Sequence, residues 1–205
     1  HAFESCKSLT SVTIAGSVEK IDGWAFDGCS NLSKLTLSEG IKTIEMAAFQ
    51  SCSALKEVVI PESVETVVMD AFGNIALESV TVLNPEMFFG SGSFDMAENG
   101  IIYGYRNSTA KEYAERYEYT IEYLDSVLLG DVDFDGVVNS SDASLVLAAY
   151  AVVATGGDTP LSDDQIDAGD VNFDGAVDSS DASSILAYYA YTATGGEGTI
   201  EGFLR

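Results

Sequence analysis

Two stretches near the C-terminal end of this sequence carry oxygen-bearing side chains at the same spacing. They cover residues 131–142 and 170–181, so the second begins 39 residues after the first. In both, such side chains stand at positions 1, 3, 5, 9 and 12, and a glycine stands at position 6. Oxygen ligands at alternate positions let a short loop wrap a hard cation, while the glycine permits a sharp turn. The spacing therefore predicts two loops that each bind Ca²⁺.

The charge of the chain is consistent with bound cations in this region. The sequence has 33 acidic and 9 basic residues, a formal net charge of -24, and no lysine or arginine between Arg116 and Arg205. A solvated acidic surface is the alternative, but the acids stand at ligand spacing rather than in a run. Bound Ca²⁺ would relieve the repulsion among these carboxylates, so we expect folding here to depend on metal. The same charge argues against nucleic acid, and against an anionic membrane surface, as a partner.

The surroundings of the two loops differ from those of a calcium sensor of the EF-hand kind. Position 12 is aspartate rather than glutamate, and residues 128–130 and 166–169 leave too little length for an entering helix. We predict a small all-α unit in which each loop is followed by a helix, over 141–153 and 180–192. Calcium in such a unit should be structural rather than signalling, since a sensor needs an entering helix to move. The predicted core residues are Leu145, Leu147, Ile185 and Leu186.

The loops carry a longer repeated pattern that points to a known family. The segments G-D-V-x-x-D-G-x-V-x-x-x-D that begin at Gly130 and Gly169 resemble those of dockerins, which dock secreted proteins onto the cohesin modules of a scaffoldin. The resemblance implies two Ca²⁺ ions, with the residue at loop position 7 contributing its backbone carbonyl. The implied ligands are Asp131, Asp133, Asp135, Val137, Asn139 and Asp142 in the first loop, and Asp170, Asn172, Asp174, Ala176, Asp178 and Asp181 in the second.

The dockerin resemblance also implies a surface for cohesin, formed by loop positions 10 and 11 and by three positions on the following helix. Many dockerins carry lysine or arginine on that helix and this sequence does not, which favours an apolar interface and argues against a symmetric module that docks equally well either way round. We expect Tyr188 and Tyr191 to contact cohesin, the alternative being that they pack within the module, and we expect Tyr189 to pack. The implied contacts are Ser140, Ser141, Ala148, Ala149 and Val152 in the first copy, and Ser179, Ser180, Ala187, Tyr188 and Tyr191 in the second.

The first half of the chain repeats itself every 23 residues. Ala-Phe pairs recur at this step, in four copies of which the fourth is one residue shorter. Each pair is followed by a leucine and then by apolar residues three and five positions later, as in L-x-x-V-x-I. This period and pattern indicate stacked coils of a leucine-rich repeat. After the fourth copy the pattern decays into what we interpret as a cap, with a capping box over 109–112 and a closing strand over 120–124. The repeated pairs are Ala2-Phe3, Ala25-Phe26, Ala48-Phe49 and Ala71-Phe72.

The motif S-V-x-x-I-x-x-x-A-F-x-x-C, seen at residues 17–29, resembles the BspA-like leucine-rich repeats of bacterial cell-surface and secreted proteins. The predicted fold class is therefore α+β, a β-rich repeat solenoid with a C-terminal cap followed by a small all-α dockerin. We expect the repeat domain over 1–124, truncated at its N-terminus, a short linker over 125–128 and the dockerin over 129–205. Because the linker lacks a Gly/Pro/Ser-rich stretch, we expect the two domains to form a semi-rigid pair.

The repeat region offers several candidate ligand features but no catalytic set. The only histidine is His1, so a Ser-His or Cys-His nucleophile pair is excluded within this sequence. Cys6, Cys29 and Cys52 recur at the repeat step, and we interpret them as buried free thiols rather than a metal site. Glycosylation sequons at Asn31, Asn107 and Asn139 are a weak signal. Alternation along each strand predicts an exposed face, either a ligand surface or a solvated sheet, formed by Ser11, Thr13, Lys34, Thr36, Glu57, Val59, Ser79 and Thr81.

Together these features predict a non-enzymatic, calcium-dependent component of an extracellular, cellulosome-type complex on a bacterial cell surface. The dockerin would attach to a scaffoldin cohesin, and the repeats would stabilise the protein or present a face to a second protein or a carbohydrate. We expect no membrane insertion and a monomer outside the complex. The alternative is that the chain is the anchoring end of a larger secreted polysaccharide-degrading enzyme or protease, whose catalytic domain precedes His1.

Overall fold

The computed structural model describes residues 1–106 and 108–205, so the sequon at Asn107 lies outside the described residues. The chain divides into two compact units, His1–Asp125 and Ser126–Arg205. Each unit has a hydrophobic core of its own.

The first unit is a stack of coils whose strands pair in parallel from one coil to the next. The longer strands are β1 (Ser11–Ile14), β3 (Lys34–Leu37), β5 (Glu57–Ile60), β7 (Phe72–Val82), β9 (Phe94–Gly104) and β10 (Thr120–Tyr123). The shorter strands are β2 (Lys20–Ile21), β4 (Thr43–Ile44), β6 (Thr66–Val67) and β8 (Phe88–Phe89), which form one parallel sheet in that order. Helix α1 (Thr109–Tyr117) lies between β9 and β10.

The strand register reproduces the sequence period. Ser11 pairs with Lys34 across β1 and β3, and Glu57 pairs with Ser79 across β5 and β7, so the shorter fourth copy is confirmed. Inside the coils, the Phe26, Phe49 and Phe72 rings stack with centroids 5.1 Å apart. Offset stacking of this kind adds to the free energy gained by burying each ring. The repeated phenylalanine is therefore the internal column on which the coils are stacked.

The column continues one coil further than the repeated pattern indicated. Phe94 stacks on Phe72 with centroids 5.2 Å apart, and β9 pairs with β7 in parallel. The prediction that the repeat ends after four copies is thus wrong. The fifth coil is hard to recognise in the sequence because it keeps only the phenylalanine of the Ala-Phe pair, as Ser93-Phe94.

Two further expectations for the repeats need correction. Cys29 and Cys52 are free and buried, as predicted, and their thiols donate to the carbonyls of Phe3 and Phe26 in the preceding coil. Cys6 is exposed, because its coil pairs with one neighbouring coil only, through β1 and β3. The N-cap of α1 is Ser108, whose side chain accepts from the Lys111 N–H. The capping box predicted over 109–112 is therefore wrong, because the cap lies one residue earlier and Lys111, at the third helical position, has no acceptor to complete a box.

The second unit is helical, with α2 (Ser140–Ala154) packed against α4 (Ser179–Ala193). The loop-then-helix prediction is confirmed for both copies. Two short helices were missed, α3 (Asp163–Gly169) and α5 (Ile200–Phe203). The prediction that neither loop has an entering helix is therefore wrong for the second loop, because α3 leads into it and begins at a capping box between Ser162 and Gln165. A helix of only seven residues is stable here because the capping box satisfies backbone N–H groups of its first turn, which would otherwise fray.

The core of the second unit uses smaller residues than expected. Leu147 and Leu186 are 43% and 41% exposed, which corrects their assignment to the core. Ile185 is fully buried and Leu145 packs against the core, as predicted. Helix α2 buries Ala143, Val146 and Ala149 instead. Small side chains on this face let α2 and α4 approach closely, which leaves the larger leucines on the outside.

No helix in the described parts of the chain is long and apolar enough to cross a lipid bilayer.

Candidate functional site: two cation loops and the helices that follow them

Backbone conformation gives the first loop its tight path. Phe134 and Gly136 both have positive φ, 59° and 86°. Glycine adopts this conformation at little cost, whereas a phenylalanine there is strained. The turn directs the N–H groups of Asp135 and Gly136 at the Asp131 carboxylate, at 3.1 and 2.9 Å. Asp131 is thereby fixed with its oxygens inside the loop.

Asp142 closes the first loop onto α2. Its carboxylate is fully buried and accepts hydrogen bonds from the backbone N–H groups of Val132 at 2.7 Å and Asp133 at 3.1 Å. It also accepts from the N–H of Asn139 at 2.8 Å, completing a capping box at the start of α2. A single side chain therefore links the beginning of the loop, its end and the helix that follows.

Three carboxylates of the first loop form a cluster suited to a hard cation. One oxygen each from Asp131, Asp133 and Asp142 lies within 4.8 Å of the others. Burial raises the pKa of Asp131 and of Asp133, and the nearby Asp142 charge raises both further. Grouped, partly buried carboxylates with no basic partner are unfavourable by themselves, and Ca²⁺ prefers such oxygen ligands. The residues therefore fit a calcium ion.

The second loop repeats this arrangement with small differences. Asp170 accepts from the N–H groups of Asp174 at 3.1 Å and Gly175 at 2.9 Å. Asp181 is fully buried, accepts from the N–H of Asn172 at 3.3 Å, and has a pKa raised by burial. The amide of Asn172 donates to the Ser180 hydroxyl at 2.8 Å, which leaves its oxygen directed into the loop. The two loops thus carry the same number of side-chain carboxylates, but the one amide stands at position 9 in the first loop and at position 3 in the second.

The remaining predicted ligands lie around the same loops. Asp135 and Asp174 each accept from the backbone N–H two residues later. Asn139 and Asp178 are the N-caps of α2 and α4. The carbonyl of Val137 accepts from the Asn139 amide at 3.0 Å, and Ala176 occupies the matching exposed position.

Most of the residues implied as cohesin contacts are on the surface of the second unit. Ala149 is the exception, because it is 2% exposed and its side chain is part of the core; its assignment as a contact is corrected. Tyr188 is half-buried. The exposed members of the set are Ser140, Ser141, Ala148, Val152, Ser179, Ser180, Ala187 and Tyr191.

The tyrosines of α4 behave differently from the expectation. Tyr189 is 41% exposed, so the prediction that it packs within the module is wrong. Tyr188 donates its hydroxyl to the Gly198 carbonyl at 2.7 Å, and its ring meets Phe203 edge-on. Tyr191 is 39% exposed, donates to the Glu197 carbonyl at 3.2 Å, and also packs on Phe203. Both rings therefore hold the C-terminal residues against α4.

The exposed faces of α2 and α4 carry no charge. The only ionisable acid in each helix is the buried aspartate of its first turn, Asp142 or Asp181, and neither helix contains a base. The exposed large apolar side chains on these helices are Leu147, Tyr150, Val152, Val153, Leu186, Tyr189 and Tyr191. Large apolar side chains left exposed on two packed helices are a feature of protein-association sites.

The parallel coils and the paired cation loops define a leucine-rich repeat solenoid joined to a calcium-loop module. Residues 1–99 match the BspA type leucine rich repeat region, in six copies, and residues 129–188 match the dockerin type I domain. Residues 1–99 are therefore a BspA-type repeat region and residues 129–188 a type I dockerin domain. Both are non-catalytic interaction modules, and type I dockerin domains bind calcium and mediate cohesin binding of the cellulosome type. Both domain types are typical of extracellular or cell-surface proteins.

A solved structure is also similar to part of the chain. It is the crystal structure of a leucine-rich repeat protein from Bacteroides ovatus ATCC 8483 at 1.19 Å resolution, with 24% sequence identity and a TM-score of 0.45. The match covers 49% of this chain and 26% of that one. No curated protein matches the chain.

Proposed function

We propose that this protein attaches, through a dockerin that folds around two Ca²⁺ ions, to a scaffoldin cohesin in an extracellular complex. The observation that carries the proposal is the position of Asp142. This buried carboxylate lies within the acidic cluster and also caps α2, so the ion and the helix depend on the same side chain. Asp181 has the corresponding place in the first turn of α4. Binding of calcium would therefore order the helices that meet the partner.

We assign a separate role to each of the two compact units. Residues 1–124 form the repeat domain, 125–128 the linker and 129–205 the dockerin. The repeat domain acts as an interaction or stabilising module whose fold is independent of calcium, since its coils are held by the phenylalanine column and by strand pairing. The ligands of the two ions are the residues assigned above from the loop pattern.

The docking surface we propose is apolar and lies on the outer faces of α2 and α4. Leu147 and Leu186 are exposed and stand next to Ala148 and Ala187, in equivalent positions of the two copies, which supports this proposal. The Ser140–Ser141 pair and its equivalent Ser179–Ser180 lie at the starts of the helices and supply hydroxyl groups at the rim. Apolar anchors with a polar rim are the usual arrangement of a stable protein interface.

The two copies differ enough that we propose a single preferred docking mode. In the second copy the Tyr191 ring packs on Phe203 near the C-terminus. The equivalent residue of the first copy, Val152, has no aromatic ring that could make such a contact. The test measures affinity for a panel of type I cohesins after alanine replacement of each serine pair, separately and together. Loss of affinity from only one pair supports a single mode. Loss only when both pairs are replaced would show that the module docks equally well in two orientations.

A further inference from the structure

A small cleft lies at the C-terminal end of the repeat unit, between β8 and α1. Its volume is about 190 Å³, and it is lined by Met87, Phe88, Phe89, Thr109, Glu112, Tyr113 and Arg116. The cohesin-binding residues proposed above all belong to the other unit. Any ligand of this cleft would therefore represent a second binding function.

The floor of the cleft is rigid. Met87 is fully buried, and the Phe89 ring stacks on Tyr113 with centroids 4.6 Å apart. The Thr109 hydroxyl contacts the carbonyls of Pro85 and Met87 at 3.1 and 2.7 Å, which ties the start of α1 to the segment before β8. Because the shape of the site is already fixed, binding of a ligand loses little conformational entropy of the protein.

Phe88 forms one side of the rim, and nothing in the fold requires an aromatic ring there. Strand alternation directs Phe89 to the core and Phe88 outward, where it is 64% exposed. The residues at matching positions of the same sheet are Thr66, Thr43 and Lys20. The aromatic ring thus occurs only at the strand that borders the cleft.

Glu112 and Arg116 form the opposite side of the rim, one helical turn apart. On the neighbouring face of α1, Lys111 and Glu115 have the same spacing and make an ion pair of 3.3 Å. Within the described residues, the Glu112 and Arg116 side chains make no ion pair and no hydrogen bond. A carboxylate acceptor and a guanidinium donor therefore face the cleft with their hydrogen-bonding capacity available.

We propose that this cleft binds one neutral sugar ring of an oligosaccharide. The apolar C–H face of a pyranose can lie on the Phe88 ring, and its hydroxyls, which both donate and accept, suit Arg116 and Glu112 together. A volume of about 190 Å³ is below the roughly 300–1,000 Å³ of pockets that enclose drug-sized ligands, so one ring enters while its neighbours stay outside. The Glu112 carboxylate on the rim has the same charge as a uronate and repels it, which makes a neutral sugar the favoured ligand.

The proposal is tested by calorimetric titration of the full chain with cellotetraose, xylotetraose, mannotetraose and the acidic tetragalacturonate. We expect at least one neutral tetrasaccharide to bind and the acidic one not to bind. Phe88→Ala should weaken binding about tenfold, as should Arg116→Gln. Both side chains are exposed, so the thermal unfolding of these variants should match that of the unsubstituted protein.

Two control variants match these changes outside the cleft. Val59→Ala removes an exposed apolar side chain from the strand face, and Lys111→Gln removes a cation from the other face of α1. Both should bind as the unsubstituted protein does. Absence of binding to all three neutral sugars would overturn the proposal. So would a neutral sugar whose affinity is lost in Val59→Ala but kept in Phe88→Ala, because that result would place the site on the strand face.

Discussion

The Asp142 carboxylate accepts a 2.7 Å hydrogen bond from the backbone N–H of Val132, ten residues earlier in the chain. The same carboxylate accepts from the N–H of Asn139, the N-cap of α2. The loop and the helix therefore share one buried anchor, and neither is complete without it. Because this anchor is also one of the three clustered carboxylates, order in the helix is coupled to charge in the loop.

Asp142→Asn tests that anchor. The asparagine amide keeps the size of the side chain but removes its charge. Its NH₂ group would also face backbone N–H groups that now donate to the Asp142 carboxylate, so some of these hydrogen bonds would be lost. With excess Ca²⁺, we expect the free energy of unfolding of the second unit to fall by about 3 kcal/mol, measured by urea titration with circular dichroism. The control is Asp158→Asn, an exposed aspartate outside both loops, which should change it by less than about 0.5 kcal/mol. Equal effects of the two substitutions would contradict a special role for Asp142.

The raised carboxylate pKa values predict how stability changes with pH in metal-stripped protein. Burial raises the pKa of Asp131 and Asp133 in the folded state, so protonation stabilises that state. This contribution is complete below the ordinary carboxyl pKa of about 4 and is lost as pH rises through the raised values. Asp178 has a pKa lowered by its hydrogen bond from Ser180 and acts in the opposite direction, but it is exposed and screened by solvent.

We therefore expect the second unit of metal-stripped protein, which is unfolded near pH 7, to regain helical structure as the pH falls toward about 4. With saturating Ca²⁺ the order should reverse, because protons and the ion compete for the same oxygens. Far-ultraviolet circular dichroism of both forms at several pH values measures this. A metal-stripped protein with less helix near pH 4 than near pH 7 would show that the charge of the clustered carboxylates does not oppose folding.

The repeat region could be predicted from the sequence because each coil has one residue type at each structural position. Phe26, Phe49 and Phe72 recur at the repeat step, and the structure places them in one column. The coil that ends this column was missed, since only Phe94 and its strand continue the pattern. Exposure of Cys6 was also missed, because a period indicates which residues are equivalent and not which coil is covered by a neighbour.

Helices α2 and α4 show why the buried residues of the second unit were harder to predict from the sequence. In α2 both faces are apolar, so hydrophobicity could not distinguish Leu147, which is exposed, from Val146, which is buried. Close packing of the two helices favours small residues in the interface, and that choice depends on a neighbour that the sequence does not specify. Helix α3, by contrast, had a readable signal, the S-x-x-Q capping box of Ser162 and Gln165.

The exposed leucines provide a test of the docking surface. We expect Leu147→Ala and Leu186→Ala together to weaken cohesin binding at least about tenfold, since truncation of buried apolar anchors costs more than about 1 kcal/mol each. Unfolding should be little changed, because both side chains are exposed in the free protein. Leu204→Ala is the matched control, at 38% exposure and outside α2 and α4, and should bind normally. Full affinity in the double variant would exclude these faces as the interface.

An uncharged interface should also respond weakly to salt. The outer faces of α2 and α4 lack charged side chains. Salt therefore has few charge–charge interactions to screen when cohesin binds. We expect the association rate and affinity to change less than about threefold between roughly 0.1 and 1 M NaCl at constant excess Ca²⁺, measured by surface plasmon resonance. A loss of affinity by orders of magnitude would indicate docking steered by charge.

Removal of calcium tests the central claim most directly. Hydrogen exchange measured by mass spectrometry on the full chain, with and without chelator, reports on both units, and the same samples can be titrated with cohesin. We predict that chelation removes protection throughout residues 126–205 and abolishes cohesin binding, while residues 1–125 keep their protection. Cohesin binding that survives complete removal of calcium, or unchanged protection of α2 and α4, would contradict the account.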